Sequence, residues 1–157
     1  MTNAAIPLIL PVPHVQQRKD GECLAACAAM ILAYMGIKPD YEYLLRLLDI
    51  REFGAPFTRL RRLEKLKISV TVEPRGTIRQ LETLLRQNHP CIVGIDTGEL
   101  PYRDEKGLPH AVVVVGLDPT YIYLNDPDLK TGPLHVPIRD FDLAWLNRDE
   151  EYAFVSK

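Results

Sequence analysis

The sequence has few cysteines, no long apolar run and no glycine-rich phosphate loop. Three cysteines among 157 residues are too few, and of the wrong parity, for a disulfide framework, so reduced thiols in a cytoplasmic protein fit better. The longest apolar run compatible with a helix spans thirteen residues, from Cys23 to Met35, whereas a helix needs ~20 to cross a bilayer. The missing phosphate loop argues against a nucleotide enzyme.

An excess of either charge is also missing. The 19 basic and 21 acidic residues give a net charge of -2, which provides no general attraction to nucleic acid or to anionic lipid. The apolar N-terminus has no basic segment and is broken by Pro7 and Pro11, so it does not resemble a signal peptide. We therefore expect a cytoplasmic protein, with residues 1–157 forming one domain and with no nucleic-acid or membrane partner.

The order of predicted elements indicates an α+β fold, because helices come first and consecutive strands later. An extended lead-in, 1–15, precedes a helix that ends at Met35, where Gly36 follows as a C-terminal glycine. This helix is apolar on every face, which is typical of a helix buried all round. The other predicted helices are at about 41–48, 57–66, 78–87 and 141–146, and the predicted strands at about 68–73, 91–96, 111–115, 121–125, 134–136 and 152–155.

Cys23 stands at the head of the apolar helix and is the candidate nucleophile. Unpaired amides and the positive end of the helix dipole favour a thiolate there. The same amides can hold an oxyanion, and Gln17, six residues earlier, can add a side-chain donor. The alternative is a small core residue, an interpretation that suits Cys27 and Cys91 better because the first lies one turn deeper and the second lies in a strand.

A metal site is a second alternative for these thiols. Cys23 and Cys27 are four residues apart and therefore share a helix face, but a site would also need His14 or His110. The three-residue gap between the two cysteines is not a C-x-x-C redox motif. The prediction is therefore that the protein uses neither a metal nor another cofactor.

A predicted hairpin brings a histidine to an acid. His110 precedes one β-rich run, Asp126 follows the next, and 116–120 is a turn signal. Antiparallel pairing centred on Asp118 places His110 opposite Asp126, where the carboxylate can orient the imidazole. A register shifted by one residue would offer Asn125 instead. The alternative interpretation is that 125–128 is only a turn and His110 only a loop residue.

Four segments of the sequence resemble the papain-like peptidase family that processes bacteriocin leader peptides. They are Val12-Pro-His-Val-Gln-Gln17, Glu22-Cys-Leu-Ala-Ala-Cys-Ala-Ala-Met30, His110-Ala-Val-Val-Val-Val-Gly116 and Tyr123-Leu-Asn-Asp-Pro127. The resemblance implies a central helix packed on an antiparallel sheet. It also implies Cys23 as nucleophile, Gln17 as oxyanion donor, His110 as base and Asp126 as orienting acid.

The expected function is that of a cysteine peptidase acting on a peptide or protein. Isopeptidase, deamidase and acyl-transfer chemistry use the same residues, and a non-catalytic peptide-binding module or a toxin or effector domain on this fold is the alternative. One residue departs from the family pattern, since Leu24 follows the cysteine where glycine is usual; its bulk is expected to reshape the cleft. The loop 97–109, of mixed charge, is predicted to border that cleft.

Overall fold

The computed structural model describes residues 7–103 and 106–157. Its helices are α1 (Cys23–Tyr34), α2 (Tyr41–Leu47), α3 (Ile78–Arg86) and α4 (Ile138–Leu146), with 3₁₀ helices at Phe57–Leu66 and Thr97–Glu99. Its strands are β1 (Leu8–Ile9), β2 (Ser69–Glu73), β3 (Cys91–Asp96), β4 (Pro109–Leu117), β5 (Tyr121–Asn125), β6 (Leu134–Pro137) and β7 (Tyr152–Ser156). Parts of the predicted lead-in (1–6) and loop (Asp104 and Glu105) lie outside the described residues.

One antiparallel sheet organises the described residues. Its strands follow the order β2-β7-β3-β4-β5-β6, and β1 pairs with the far end of β4. Strand β4 is central and apolar, and its segment from Ala111 to Leu117 is buried throughout. Both faces of the sheet are therefore covered by apolar cores, and the ends of its strands are left to border a cleft.

The two faces of the sheet are covered by different helices. On one face, α1, α2 and the 3₁₀ helix Phe57–Leu66 pack with Ile92, Val113 and Val155. On the other face, α3 and α4 pack with Val93, Val112 and Val114. Alternation of side chains along β3 and β4 produces this division, since successive residues point to opposite faces. The predicted fold class, a buried helix on an antiparallel sheet, is confirmed.

Helix α1 is enclosed because its sequence offers no polar face. Eight of its twelve residues are buried, and full burial of each large apolar side chain stabilises the fold by ~1.5–3 kcal/mol. The helix ends where predicted, since Gly36 follows with a φ of 80°, a left-handed conformation that glycine adopts without strain. The surrounding core thereby fixes the position of the N-terminal end of the helix, where Cys23 lies.

Most predicted elements are present within one to three residues of their expected ends. Thr77 and Gln80 form the two reciprocal hydrogen bonds of a capping box at the start of α3, as expected of a threonine N-cap. Two details differ from the prediction. The segment Phe57–Leu66 is a 3₁₀ helix, and β4 extends two residues beyond its predicted range at each end, because its pairing with β3 continues to Pro109.

Candidate active site

A cleft of about 460 Å³ lies between the head of α1 and one end of the sheet. One wall is the entry to α1 together with a turn at 51–54. The turn packs closely on Gly21, whose φ is 86° and whose Cα leaves no room for a Cβ beside the Glu52 carbonyl oxygen. The opposite wall comes from β3, β4, the segment between them and the segments that follow β5 and α4: Gly94, Thr97, Arg103, Leu108, Pro109, His110, Ala111, Asp128, Arg148 and Glu151.

Cys23 is the first residue of α1 and lines this cleft. Its side chain is partly exposed, whereas Cys27, one turn further along the helix, is fully buried. The N-cap residue Glu22 makes no side-chain cap hydrogen bond; its carboxylate accepts instead from the Tyr41 hydroxyl at 3.0 Å. The helix head therefore presents its thiol to the cleft, as predicted.

The other two thiols lie in environments that disfavour ionisation. Burial is the main cause that raises the pKa of Cys27 well above its usual value, and the nearby Cys23 and Asp126 raise it further. Burial alone raises the pKa of Cys91 to about 12. Since the thiolate is the nucleophilic form, these two cysteines are inert core residues, as their positions in the sequence predicted.

His110 joins Cys23 to Asp126. Its Nε2 lies 2.8 Å from Asp126 Oδ1, it lines the same cleft as Cys23, and Cys23 is near enough to raise the pKa of its ring. Because Nε2 faces the carboxylate, Nδ1 is the nitrogen left for the thiol. Asp126 is fully buried at the end of β5. The contact predicted from the hairpin is therefore present.

The register that led to this prediction is nevertheless wrong. Val113 pairs with Asn125, whereas a hairpin centred on Asp118 would pair it with Tyr123. The register shifts again between Val114 and Gly116, where a bulge adds one residue to β4. Next to His110 and Asp126, the pairing is therefore displaced by two residues from the predicted register, and a displacement by two keeps each side chain on the same face of the sheet. Asp126 thus becomes a diagonal neighbour of His110, still within reach.

Electrostatics favour an ion pair between His110 and its partners. Burial lowers the pKa of His110, but hydrogen bonds and charge from Asp126 and Cys23 outweigh burial and raise it from 6.5 to about 9. For Asp126, burial favours the neutral carboxyl, yet the hydrogen bonds from His110 and Tyr102 and the charge of His110 hold its pKa well below the usual 3.8. Both directions describe an imidazolium beside a carboxylate at neutral pH.

Sequence reasoning missed a second set of contacts around Asp126. Its Oδ2 accepts from the Tyr102 hydroxyl at 2.6 Å and from Arg103 Nη1 at 2.9 Å. Arg103 Nη2 also donates to Asp128 Oδ2 at 2.7 Å. The mixed charge of the loop 97–109 was the only signal for these contacts, and it does not say which acid lies across the cleft.

Gln17 lines the cleft with Cys23. Its backbone N–H donates to the Pro127 carbonyl at 2.8 Å, which ties the segment before α1 to the turn that contains Asp126. Its side-chain Nε2 donates to the Lys19 carbonyl at 3.0 Å, and its buried Oε1 has no hydrogen-bond partner among the described residues. The structure thus brings Gln17, Cys23 and His110 to one cleft, with Asp126 buried and paired to His110; their chemical roles remain predictions.

Within the described residues, one group of side chains has the spacing of a metal site: His110, Asp126 and Asp128. Arg103 already pairs with both carboxylates, so a cation would have to displace the guanidinium. The sequence-based alternative combined Cys23 and Cys27 with His14 or His110, but these residues do not form a group with metal-ligand spacing in the described part of the chain. These donors therefore fit the peptidase arrangement better than a metal centre.

Comparison with known proteins agrees with this geometry. The profile of the Peptidase C39 family matches residues 11–148. A C39-like peptidase from Bacillus anthracis superposes with a TM-score of 0.82 at 18% identity, covering 98% of each chain. A double glycine motif protease from an AMS/PCAT transporter, solved with its leader peptide, gives 0.73 at 22% identity, covering 95% of this chain and 94% of its own. No curated protein sequence matches the chain.

A further solved structure is the peptidase domain of Streptococcus ComA, a bifunctional ABC transporter, with a TM-score of 0.70 at 20% identity, covering 91% of this chain and 96% of that domain. These likenesses, with the antiparallel sheet and the buried helix, define a papain-like fold. The chain belongs to the Peptidase C39 family and is a cysteine peptidase. No helix in the described residues is long and apolar enough to cross a membrane.

Proposed function

We propose that Cys23 attacks the carbonyl carbon of a peptide bond, with His110, Asp126 and Gln17 in supporting roles. The observation that carries the proposal is that Cys23 and His110 line the same cleft, with His110 paired to the buried Asp126. These positions combine a thiol that faces the cleft with a base, and the base with an orienting acid, which is the arrangement required of an activated nucleophile.

The reaction follows from the positions of these groups. The Cys23 thiolate forms a bond to the carbonyl carbon, and the carbonyl π electrons move to oxygen. His110 then donates its proton to the leaving amine as the C–N bond breaks, which leaves a thioester on Cys23. His110 next takes a proton from water, whose oxygen attacks the thioester carbon; the C–S bond then breaks, which releases the acid and restores the Cys23 thiolate beside the protonated His110. Asp126 remains ionised and holds the ring in position.

Gln17 is suited to stabilise the oxyanion. An amide NH₂ group has two N–H donors, and one of those of Gln17 binds the Lys19 carbonyl. The anchored amide keeps a second N–H for a negatively charged oxygen formed next to Cys23. Backbone amides at the head of α1 are further donors, since the first turn of a helix leaves its N–H groups without intrahelical partners.

Gln17→Ala is expected to lower kcat by ~10²–10³-fold, the usual cost of removing one oxyanion donor, with a smaller change in KM. The reason is that the donor acts on charge that develops in the transition state. Steady-state kinetics on a cleaved peptide measure both constants. Gln16→Ala is the matched control, because that exposed side chain binds the Asp128 carbonyl. Equal losses in the two variants would remove Gln17 from the oxyanion site.

For the substrate, we infer a peptide with the double-glycine motif. The basis is the family and the solved relative described as a double glycine motif protease in complex with its leader peptide. The cleft supports a substrate with small residues, since small side chains line both of its walls: Ala55 beside the turn at 51–54 and Ala111 in β4. Leu24 borders the same cleft but is 3% exposed, so most of its bulk lies in the core.

A thiol-reactive probe combined with a peptide library tests this proposal. We expect the probe to label Cys23 in preference to the buried Cys27 and Cys91, and mass spectrometry to show cleavage after paired glycines. Labelling without cleavage of any peptide would point to deamidase or acyl-transfer chemistry. If Cys23 were no more reactive than Cys91, the peptide-binding module would replace the peptidase.

We also propose a reducing compartment for the protein, in keeping with its sequence. All three cysteines are free thiols in the structure, and a catalytic thiolate requires the reduced form. The buried positions of Cys27 and Cys91 preclude a disulfide exchange that could protect Cys23. The cytoplasm provides the required redox conditions.

A further inference from the structure

We propose that Arg103 is a positioning residue for the catalytic histidine, an inference that rests on the proposed function. Its guanidinium holds the carboxylates of Asp126 and Asp128 at once, so that Asp126 alone pairs with His110. Arg103 lies in the segment before β4, and it reaches across to the turn after β5.

The two oxygens of Asp126 have different partners. Oδ2 accepts from Tyr102 and from Arg103 Nη1, at 2.6 and 2.9 Å. Oδ1 accepts from the Asp128 backbone N–H at 2.9 Å and faces His110 Nε2 at 2.8 Å. Because Oδ2 is held by two donors from one segment, the carboxylate cannot rotate, and Oδ1 stays directed at the imidazole.

Asp128 is the second acid within reach of the same ring. Its Oδ2 lies 3.9 Å from His110 Nε2 and 2.7 Å from Arg103 Nη2. The guanidinium therefore holds this carboxylate just outside hydrogen-bond distance of the histidine. A planar fork with two parallel donors suits the task of bridging two carboxylates, and an ammonium lacks that geometry.

The charge of Arg103 also bears on the imidazole. Arg103 is 14% exposed and Asp126 fully buried, so their interactions are weakly screened. Without Arg103, two carboxylates would face one imidazole and would stabilise its protonated form further. An imidazolium held too firmly is a poorer general acid for the leaving amine. Among the described residues, the charged and titratable groups around His110 come from four places. They are Cys23 from α1, Tyr102 and Arg103 from the segment before β4, Asp126 and Asp128 from the turn after β5, and Asp20, Glu52, Arg148 and Glu151 on the cleft walls.

The test is a titration of His110 by NMR in protein labelled with ¹⁵N-histidine, with the signal assigned from the His110→Ala spectrum. Arg103→Met is expected to raise the midpoint by about one pH unit, because a nearby positive charge is lost. Arg103→Met/Asp128→Asn is expected to return the midpoint toward that of the wild type, because it removes one charge of each sign. Arg86→Met, in an exposed pair on α3, is the matched control and leaves the midpoint unchanged.

Kinetics on a cleaved peptide provide the second measurement. Arg103→Lys keeps the positive charge but lacks the planar guanidinium fork, so we expect a His110 midpoint close to that of the wild type. Because misplaced catalytic groups are costly, kcat should fall ~10-fold or more. KM should change little. If Arg103→Met does not fold, Asp128→Asn is compared with Arg103→Met/Asp128→Asn. These two variants differ only in the charge of Arg103, so the His110 midpoint should be higher in the double variant.

An unchanged midpoint in both comparisons would overturn the inference and leave Arg103 as a structural residue. So would Arg103→Lys with full kcat, which would make the fork dispensable. The titration needs no substrate. A wild-type protein that cleaves no peptide would therefore count against the proposed function, whereas the midpoint tests Arg103 by itself.

Discussion

Cys23→Ala is expected to abolish peptide cleavage, with a loss on the order of 10⁶-fold in kcat, as when the nucleophile of an acyl-transfer triad is removed. The side chain is partly exposed at the cleft, so the substitution leaves the core unchanged and the fold intact. Only the sulfur that shares the cleft with His110 is lost. The measurement is single-turnover cleavage of the peptide found in the library.

Cys91→Ala is the matched control for this prediction. It removes a thiol of the same kind from a buried position in β3, outside the residues that line the cleft. We expect cleavage to continue and stability to fall modestly, as for small changes in a core. If Cys23→Ala retained more than a small fraction of activity while Cys91→Ala lost it, the nucleophile would have been assigned to the wrong cysteine.

His110→Ala is expected to remove both cleavage and the low-pH reactivity of Cys23. An ordinary thiol, with a pKa of ~8.5, is less than about 1% ionised at pH 6, so the alkylation rate should fall by ~10²-fold once the imidazolium is gone. The direction follows from the His110 pKa, which is raised to about 9. The imidazolium therefore persists across pH 6–8 in the wild type. Iodoacetamide alkylation, followed by mass spectrometry, measures the rate.

His135→Ala provides the comparison for the histidine. That exposed ring packs edge-on against Tyr121 and at a tilt against Tyr123 of β5, and it does not line the cleft, so Cys23 should alkylate at the wild-type rate. Circular dichroism of both variants separates an unfolded protein from an inactivated site. Equal alkylation rates for the wild type and His110→Ala at pH 6 would show that the histidine does not activate the thiol.

Local chemistry was enough to predict the helix and its cysteine. The unbroken apolar run and Gly36 define α1 whatever surrounds it, because no polar face is available for solvent. The bounds of β3 and β5 matched the prediction for a similar reason: each is a β-branched or aromatic run between turn residues. In these segments, local preference and tertiary packing favour the same structure.

The pairing of His110 with Asp126 was predicted for a partly incorrect reason. The sequence places a histidine before one strand and an acid after the next, and this order survives a register shift of two residues. The bulge between Val114 and Gly116 has no signal in a run of four valines, since each residue is equally suited to be the extra one. The contact was predictable, whereas the register depended on how β4 packs between its neighbours.

The sequence by itself determined the buried helix, the position of the thiol at its head, the antiparallel strands and the histidine–acid pair, because each depends on residues close together along the chain. Only the tertiary structure decided that Arg103 and Tyr102 hold Asp126. These partners are more than twenty residues apart, and a loop with several charges specifies no single contact. A buried carboxylate must find donors to offset its lost hydration, and the fold, through the loop that it places over the turn after β5, provides them.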